Sequence, residues 1–265
     1  MKKEEKLVNK IKRLLKRLGC PRWMHHFGPK KYEFYEHLVV LLIRYFCSLS
    51  YARVVKLLDL LGIICPSKSA LHYNAKRIPS WLWNKAIEAT SGIKHHIVAI
   101  DSTGFSRTNP SYYYLRRIDC KMPKMHVKLS CTFDTKKKKF CTAKIRVIPV
   151  HDSKDAKFLL KSINPKIVVA DKGYNAESLY DFAAQQNILL MIPRKSNAKR
   201  GHYRKKMHKQ FRLRTYHRRS MIESGFGSIK RKFGSSVNSK LASTIKSDIY
   251  GRLLCHNLFL FFKEI

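Results

Sequence analysis

The chain has 265 residues, of which 45% are hydrophobic, so it is long enough to bury one catalytic core and a smaller attached module. Its 55 Lys and Arg against 17 Asp and Glu give a formal net charge of +38, which predicts a polyanionic partner, with nucleic acid as the leading candidate. The one long apolar run, residues 37–49, is interrupted by Arg44 and is too short to span a bilayer, and the N-terminus lacks the apolar core of a secretory signal; we therefore expect a cytoplasmic, nucleoid-associated protein and no membrane partner.

Residues 1–94 are expected to form a helical N-terminal region, because their apolar residues recur at helical spacing. A helix-turn-helix candidate within it makes it an expected DNA-binding region. Within it, SYARVVKLLDLLG is followed by a short turn and by SKSALHYNAKRI, whose Ser67 is a plausible N-cap. Two helices joined in this way fit a helix-turn-helix at about 50–78. An ordinary helical bundle with a basic solvated face would give the same pattern. The candidate DNA-contacting residues of the second helix are Lys68, Lys76 and Arg77.

The seven cysteines are scattered and include no CxxC pair, which argues against a disulfide framework and against a cysteine-based zinc site. One cluster remains as an alternative metal site: Cys20 with His25 and His26. It lacks a fourth ligand at a recognisable spacing, so we expect no zinc there.

Residues 95–265 have the pattern of an α/β domain. Three successive strands are predicted at HIVAIDSTGF, HVKLSCTFDT and KFCTAKIRVIPV, followed by a helix, a strand, a helix, a strand and a helix. This order predicts a mixed five-stranded sheet flanked by helices. The segment 194–219 contains no acid and is expected to stay unordered without counter-charge. It is either a solvated loop or a phosphate-contacting arm.

With so few acids in the chain, their positions are informative. Asp101 ends the first predicted strand of this region and Asp171 ends the fourth, and if those strands are neighbours both carboxylates face one crevice at the carboxyl edge of the sheet. Two close carboxylates repel each other unless a cation such as Mg²⁺ holds them together. The alternative for each is a turn or helix-cap residue. Asp152 and Asp155 resemble an N-cap and a first-turn acid. Solvated positions are expected for Asp119, Asp134, Glu177, Asp181 and Asp248.

Glu223 stands alone among basic residues in TYHRRSMIESGFGSIKRKFG, which we predict to be a helix. Helical geometry places Tyr216, Arg219, Glu223 and Lys230 on one polar face, beside an apolar stripe that can pack on the sheet. Glu223 could then be a third carboxylate of the metal site. The alternative is a simple Arg219 to Glu223 ion pair at i, i+4. The apolar stripe consists of Ile222, Phe226, Ile229 and Phe233.

The order VAIDST, VVADKGYNAE, YHRRSMIE resembles the DDE transposases of bacterial and archaeal insertion sequences. That resemblance implies a ribonuclease H-like core of the retroviral integrase type, with Asp101, Asp171 and Glu223 as catalytic and metal-binding carboxylates. One branch of the family has a tail signature of Tyr, Arg, Glu and Lys at the spacing found from Tyr216 to Lys230. Only about 50 residues separate Asp171 from Glu223, so the chain resembles the compact members without a β-rich insertion.

The same resemblance implies two Mg²⁺ or Mn²⁺ ions, double-stranded DNA as element end and target, and a homodimer or larger assembly on DNA. It implies cleavage at terminal inverted repeats and joining of the ends to target DNA. The residues then expected to contact DNA near the carboxylates are Tyr216, Arg218, Arg219 and Lys230. Two alternatives stay open: a ribonuclease H-like nuclease that cuts without joining, and a catalytically inactive DNA-binding derivative.

Overall fold

The computed structural model describes residues 3–24, 30–107, 117, 126–148, 150–195 and 201–263. Five helices come first, as predicted from the helical spacing of the apolar residues. They are α1 (Lys3–Arg17), α2 (Phe34–Phe46), α3 (Tyr51–Leu60), α4 (Lys68–Arg77) and α5 (Ser80–Ser91). His25 and His26, the proposed partners of Cys20 in a metal site, lie outside the described residues.

The second half alternates strands and helices in the predicted order. The strands are β1 (Ile97–Arg107), β2 (His126–Asp134), β3 (Lys139–Arg146), β4 (Ile167–Ala170), β5 (Leu189–Met191) and the two-residue β6 (Ser236–Val237). The helices are α6 (Ser153–Lys161), α7 (Glu177–Gln185), α8 (His202–His208), α9 (Leu213–Tyr216), α10 (Ser220–Phe233) and α11 (Ala242–Lys263). Short 3-10 turns occupy Lys172–Tyr174 and His217–Arg219.

The sheet is mixed, as predicted, with the strand order β3-β2-β1-β4-β5. The hairpin-connected strands β1, β2 and β3 are antiparallel, whereas β4 runs parallel to β1 and β5 runs parallel to β4. Short β6 extends the sheet by pairing with the end of β1, which the sequence did not indicate. Both faces of the sheet are packed against helices: alternate β1 residues belong to two different hydrophobic clusters, one on each face.

Helix α11 connects the N-terminal helices to the sheet. Its side chains Ile245, Ile249 and Leu253 are fully buried in a hydrophobic cluster that extends from Ile11 in α1 to Phe133 in β2. At Gly251 the helix lies so close to the ring of Tyr45 that a methyl group would collide with it. The helices and the sheet therefore share one core, and the division at residues 94 and 95 stays a prediction.

Helices α3 and α4 lie in the region of the expected helix-turn-helix, which stays a prediction. The side chain of Ser67 caps α4 by accepting from the amide of Ala70 at 3.3 Å, as the sequence indicated. Lys68, Lys76 and Arg77 are exposed, so they are free of the core packing on the opposite side of α4. Their contact with DNA stays a prediction.

Within the described residues, no single helix is both long enough and apolar enough to cross a membrane. Helices α2 and α3 meet both conditions only as a pair bent by 105°. Eight of the thirteen residues of α2 are buried, which is the pattern of a core helix.

Part of the acid-free segment is ordered, contrary to expectation. Residues 202–208 form α8, and residues 213–219 continue through α9 and a 3-10 turn into α10. Met207 is buried against the core beside α7, and Arg204 lies 3.4 Å from Glu177. Met207 anchors the segment to the core, and Glu177 of α7 supplies the negative charge that the segment itself lacks. Residues 196–200 lie outside the described part of the chain.

Two acids expected in solvent are buried instead. Asp134 accepts from the His95 ring at 2.8 Å and from two backbone amides, and Asp248 pairs with Arg44 at 2.6 Å. Both expectations were wrong because each carboxylate finds a partner far away in sequence, which local composition does not reveal. Asp155 is also fully buried, where it pairs with Arg146 at 2.7 Å.

Candidate active site

The parallel pairing of β1 with β4 places Asp101 and Asp171 at the same level of the sheet. Ile100 is in register with Ala170, so the two aspartates are the next residue on each strand. Asp171 leaves the sheet there, whereas β1 continues for six more residues, paired with β2 and then with β6. Asp101 thus lies in mid-strand, and the expectation that it ends its strand was wrong. The neighbouring position of the two carboxylates is as predicted.

Helix α10 brings Glu223 close to Asp101 on β1. The predicted apolar stripe of this helix is buried against the hydrophobic core, which turns the polar face toward β1. Gly225 permits the close approach: a methyl group there would lie 2.8 Å from the ring of Phe133 in β2. This glycine, which weakens the helix locally, is required for its packing on the sheet.

Arg219 links two of the three carboxylates. Its guanidinium lies 3.1 Å from Oδ2 of Asp101 and 2.7 Å from Oε1 of Glu223. The side chain of Asp101 is 20% exposed and that of Glu223 is 54% exposed, so the pair opens toward solvent. The i, i+4 ion pair considered as the alternative role of Glu223 is present, but the same guanidinium also reaches Asp101.

The pKa of Asp101 is raised above its usual value. Burial is the main cause, and the negative charges of Glu223 and Asp171 add to it. The amide of Ser102, which donates to Asp101 at 2.8 Å, and the charge of Arg219 act in the opposite direction without cancelling the effect. Glu223 and Asp171 are therefore close enough to disfavour the negative charge of Asp101, which is the electrostatic condition that a bound cation relieves.

The donor set fits a hard divalent cation, since all three groups are carboxylates. In this arrangement, however, no group of three or more His, Cys, Asp or Glu side chains within the described ranges stands at ligand geometry. The guanidinium of Arg219 occupies the position between Asp101 and Glu223 and supplies the positive charge there. Metal ligation would thus require Arg219 to move aside.

The remaining tail residues lie at different distances from the carboxylates. Lys230 donates to Thr103 Oγ1 at 2.7 Å, two residues along β1 from Asp101, and its burial lowers its pKa. Tyr216 is half-buried and packs against Phe211, with ring centroids 5.6 Å apart. Arg218 is exposed. The lysines and arginine of α4 lie on a helix that packs against α2, α3 and α11, so they form a second candidate DNA contact.

Sequence reasoning missed Asp152. It was interpreted as an N-cap, but its side chain makes no cap hydrogen bond. Instead it accepts from Ser102 Oγ at 2.7 Å and pairs with Lys128, both of which lie on the sheet. Because Ser102 follows Asp101 directly, this network fixes β1 on the face opposite to the carboxylates. Spacing alone could not signal it, since the partners are 24 and 50 residues away in sequence.

Comparison with known proteins agrees with this geometry. A family model described as "Transposase DDE domain" matches residues 92–258, well over half of the chain. A search of curated protein sequences gave no match.

The fold is similar to that of a piggyBac transposase, solved by cryo-EM as a synaptic complex with hairpin DNA: the TM-score is 0.52 at 10% identity, over 98% of this chain and 72% of that chain. The Drosophila P element transposase strand transfer complex aligns with a TM-score of 0.38 at 11% identity, over 94% and 70% of the two chains. A simian T-cell lymphotropic virus intasome gives 0.36 at 11% identity, over 80% and 67%. The last two are too distant to support any argument. The ribonuclease H-like fold is thereby confirmed, and the chain is a member of the DDE transposase domain family.

Proposed function

We propose that this protein is a DNA transposase that binds the terminal inverted repeats of an insertion element, cleaves at its ends and joins them to target DNA. The observation that supports the proposal is the convergence of Asp101, Asp171 and Glu223 at one edge of a ribonuclease H-like sheet in a member of this family. The raised pKa of Asp101, which lies beside two further carboxylates, favours a cation-binding role over a purely structural one.

Asp101, Asp171 and Glu223 would hold two Mg²⁺ or Mn²⁺ ions, which supply an activated water or 3′-hydroxyl and stabilise the leaving oxygen of a phosphodiester. The chain's own residues have separate tasks. Arg219 keeps Asp101 and Glu223 together before the substrate arrives, and then turns to a DNA phosphate. Lys230, positioned by Thr103, binds a second phosphate near the cleaved end. Exchange of one phosphodiester for another needs no nucleotide cofactor.

DNA recognition is assigned to two surfaces. Tyr216 and Arg218 contact the backbone beside the carboxylates, whereas Lys68, Lys76 and Arg77 on α4 contact the repeat at a distance. The net charge of +38 supplies affinity through counterion release. Two ends must be joined in one event, so the working form is a homodimer or larger assembly on DNA.

The test uses purified full-length protein and a labelled duplex that carries the element's own end, in Mg²⁺ or Mn²⁺. Cleavage at the end and joining to a second duplex are followed for the wild type, Glu223→Gln and Asp181→Asn. The last variant is a matched control, since it also neutralises one carboxylate but lies on α7, where its contact is Gln185. We expect the control to cut and join normally and Glu223→Gln to lose at least about 100-fold in rate.

Each alternative has its own result. Cleavage without joining identifies a nuclease. Binding without cleavage in either metal identifies an inactive derivative. Normal activity of Glu223→Gln would remove this residue from the site and leave it as an ion-pair partner of Arg219.

A further inference from the structure

A groove lies beside β3, the outermost strand on one side of the sheet, away from the carboxylates. It has a volume of about 610 Å³ and is bounded by α5, β3, α6 and α11. It shares no residue with the Asp101 site, and β2 separates β3 from β1. A volume of this size lies within the roughly 300–1,000 Å³ typical of sites for small ligands or single groups of a larger one.

Two aromatic rings line this groove and remain largely in solvent. Trp81 on α5 is 57% exposed and Phe158 on α6 is 48% exposed, whereas most large apolar side chains of these helices are buried. Exposed rings that line a groove offer flat surfaces to a ligand. Unpaired nucleotide bases stack on such surfaces regardless of sequence.

The charges around the rings are positive. Four lysines line the groove, against a single acid, Glu88, among the described residues. Two of these lysines lie over the rings: the ammonium of Lys144, which also pairs with Asp155 at 3.3 Å, is 4.6 Å from the Phe158 centroid, and that of Lys85 is 5.4 Å from the Trp81 centroid. The four are Lys85, Lys144, Lys161 and Lys246. A ring with an ammonium group beside it matches the alternation of base and phosphate along a strand.

The groove is built on fixed elements. Asn84 of α5 accepts from the amide of Ala143 in β3 at 2.8 Å, and Tyr250 of α11 donates to the carbonyl of the same residue at 3.2 Å. Asn84 and Tyr250 also bond each other at 3.2 Å. These contacts cap the edge of β3 and hold the walls in place, so a ligand would find the rings already positioned.

We propose that this groove binds unpaired nucleic acid, with bases stacked on Trp81 and Phe158 and phosphates on the surrounding lysines. A duplex presents no base faces to these rings, and an uncharged apolar ligand makes no use of the positive charge that Lys85, Lys161 and Lys246 place at the groove. The proposal needs neither cleavage nor a particular DNA sequence.

The test is fluorescence anisotropy of a labelled 12-nucleotide thymidine strand, an abasic strand of equal length and a duplex, in EDTA so that catalysis plays no part. We expect Trp81→Ala and Phe158→Ala each to bind the thymidine strand about 5- to 100-fold more weakly. The preference of the wild type for the thymidine over the abasic strand should disappear in the double variant. Ile93→Ala, which removes a 98% exposed apolar side chain outside the groove, should match the wild type.

A salt titration separates charge from stacking. Lys161→Gln should lower the slope of log affinity against log salt by about 0.7 for the thymidine strand, and Trp81→Ala should leave that slope unchanged. Equal affinity of the wild type and the double aromatic variant for the thymidine strand would overturn the proposal. The proposal would also be overturned if the double aromatic variant lost as much affinity for the duplex as for the thymidine strand. Displacement of the strand by a free nucleotide at the same base concentration would overturn it as well. Because none of these results depends on cleavage, failure here is distinct from failure of the transposase assay.

Discussion

Two sets of acids in this cationic chain have pKa values that are shifted in opposite directions. Asp155 and Asp134 are buried with a basic partner each, and their pKa values are lowered by hydrogen bonds and charge from Arg146 and His95, which outweigh burial. Asp101 also has a basic partner, yet its pKa is raised, because burial and two neighbouring carboxylates outweigh that partner. The ion pairs of Asp134 and Asp155 stabilise the fold. The crowding of negative charge around Asp101 lowers the stability of the fold, which is expected of a functional site.

The largest effect is expected from breaking a buried ion pair. Asp248→Ala leaves the guanidinium of Arg44 buried without its carboxylate, between α2 and α11. The free energy of unfolding should fall by about 3–5 kcal/mol, measured by urea denaturation. Asp181→Ala, a matched loss of one acid on α7, should change it by less than about 0.5 kcal/mol. Equal effects of the two variants would show that the Arg44 pair contributes nothing specific.

A buried base without an acid partner extends the comparison. His256 donates through Nε2 to the carbonyl of Lys138 and packs against Phe140, and burial lowers its pKa to about 4. Since the folded pKa lies below the unfolded value of about 6.5, stability is fully present above pH 6.5 and is lost as the pH falls toward 4.

The loss from His256 should approach about 3 kcal/mol across that window. Denaturation at a series of pH values should show this slope in the wild type and a flatter one in His256→Gln. An unchanged slope in the variant would assign the acid sensitivity to other groups.

The packing that presents Glu223 can be tested with two glycines of one helix. Gly225→Ala forces a methyl group against Phe133, and we expect a loss of about 1–3 kcal/mol in unfolding free energy. At Gly227 a methyl group meets open space, so Gly227→Ala should instead add about 0.5–1 kcal/mol through helix propensity. Opposite signs in thermal or urea unfolding support the packing; a gain in both variants would contradict it.

The smallest effect is expected at Asp101 itself, and its sign is opposite to that at Asp248. A carboxyl with a raised folded pKa costs stability once the pH exceeds its unfolded value of about 4. Asp101→Asn should therefore unfold at a slightly higher temperature than the wild type at pH 7, and the difference should vanish below about pH 4. Lower stability of this variant at pH 7 would mean that the Arg219 pair outweighs the crowding of charge.

The order of elements was accessible from local patterns. Alternating β-branched residues gave β1 to β3, helical spacing gave α2 to α5, and Ser67 marked the start of α4. The position of Asp171 after a short apolar strand was equally local. What these patterns left out was the length of β1 beyond Asp101, because that extension depends on pairing with β2 and β6 rather than on the residues themselves.

The sequence by itself determined the composition of the site, its family and the cationic character of the chain, since charge and short-range spacing are properties of the polymer before it folds. Only the tertiary structure decided which acids are partners of bases and which repel one another. The basic partners of Asp134, Asp155 and Asp248, like the neighbours of Asp101, lie across the fold and are not visible in the local sequence. Electrostatic energy depends on distance and burial, and both are fixed by contacts between residues that are far apart in the chain.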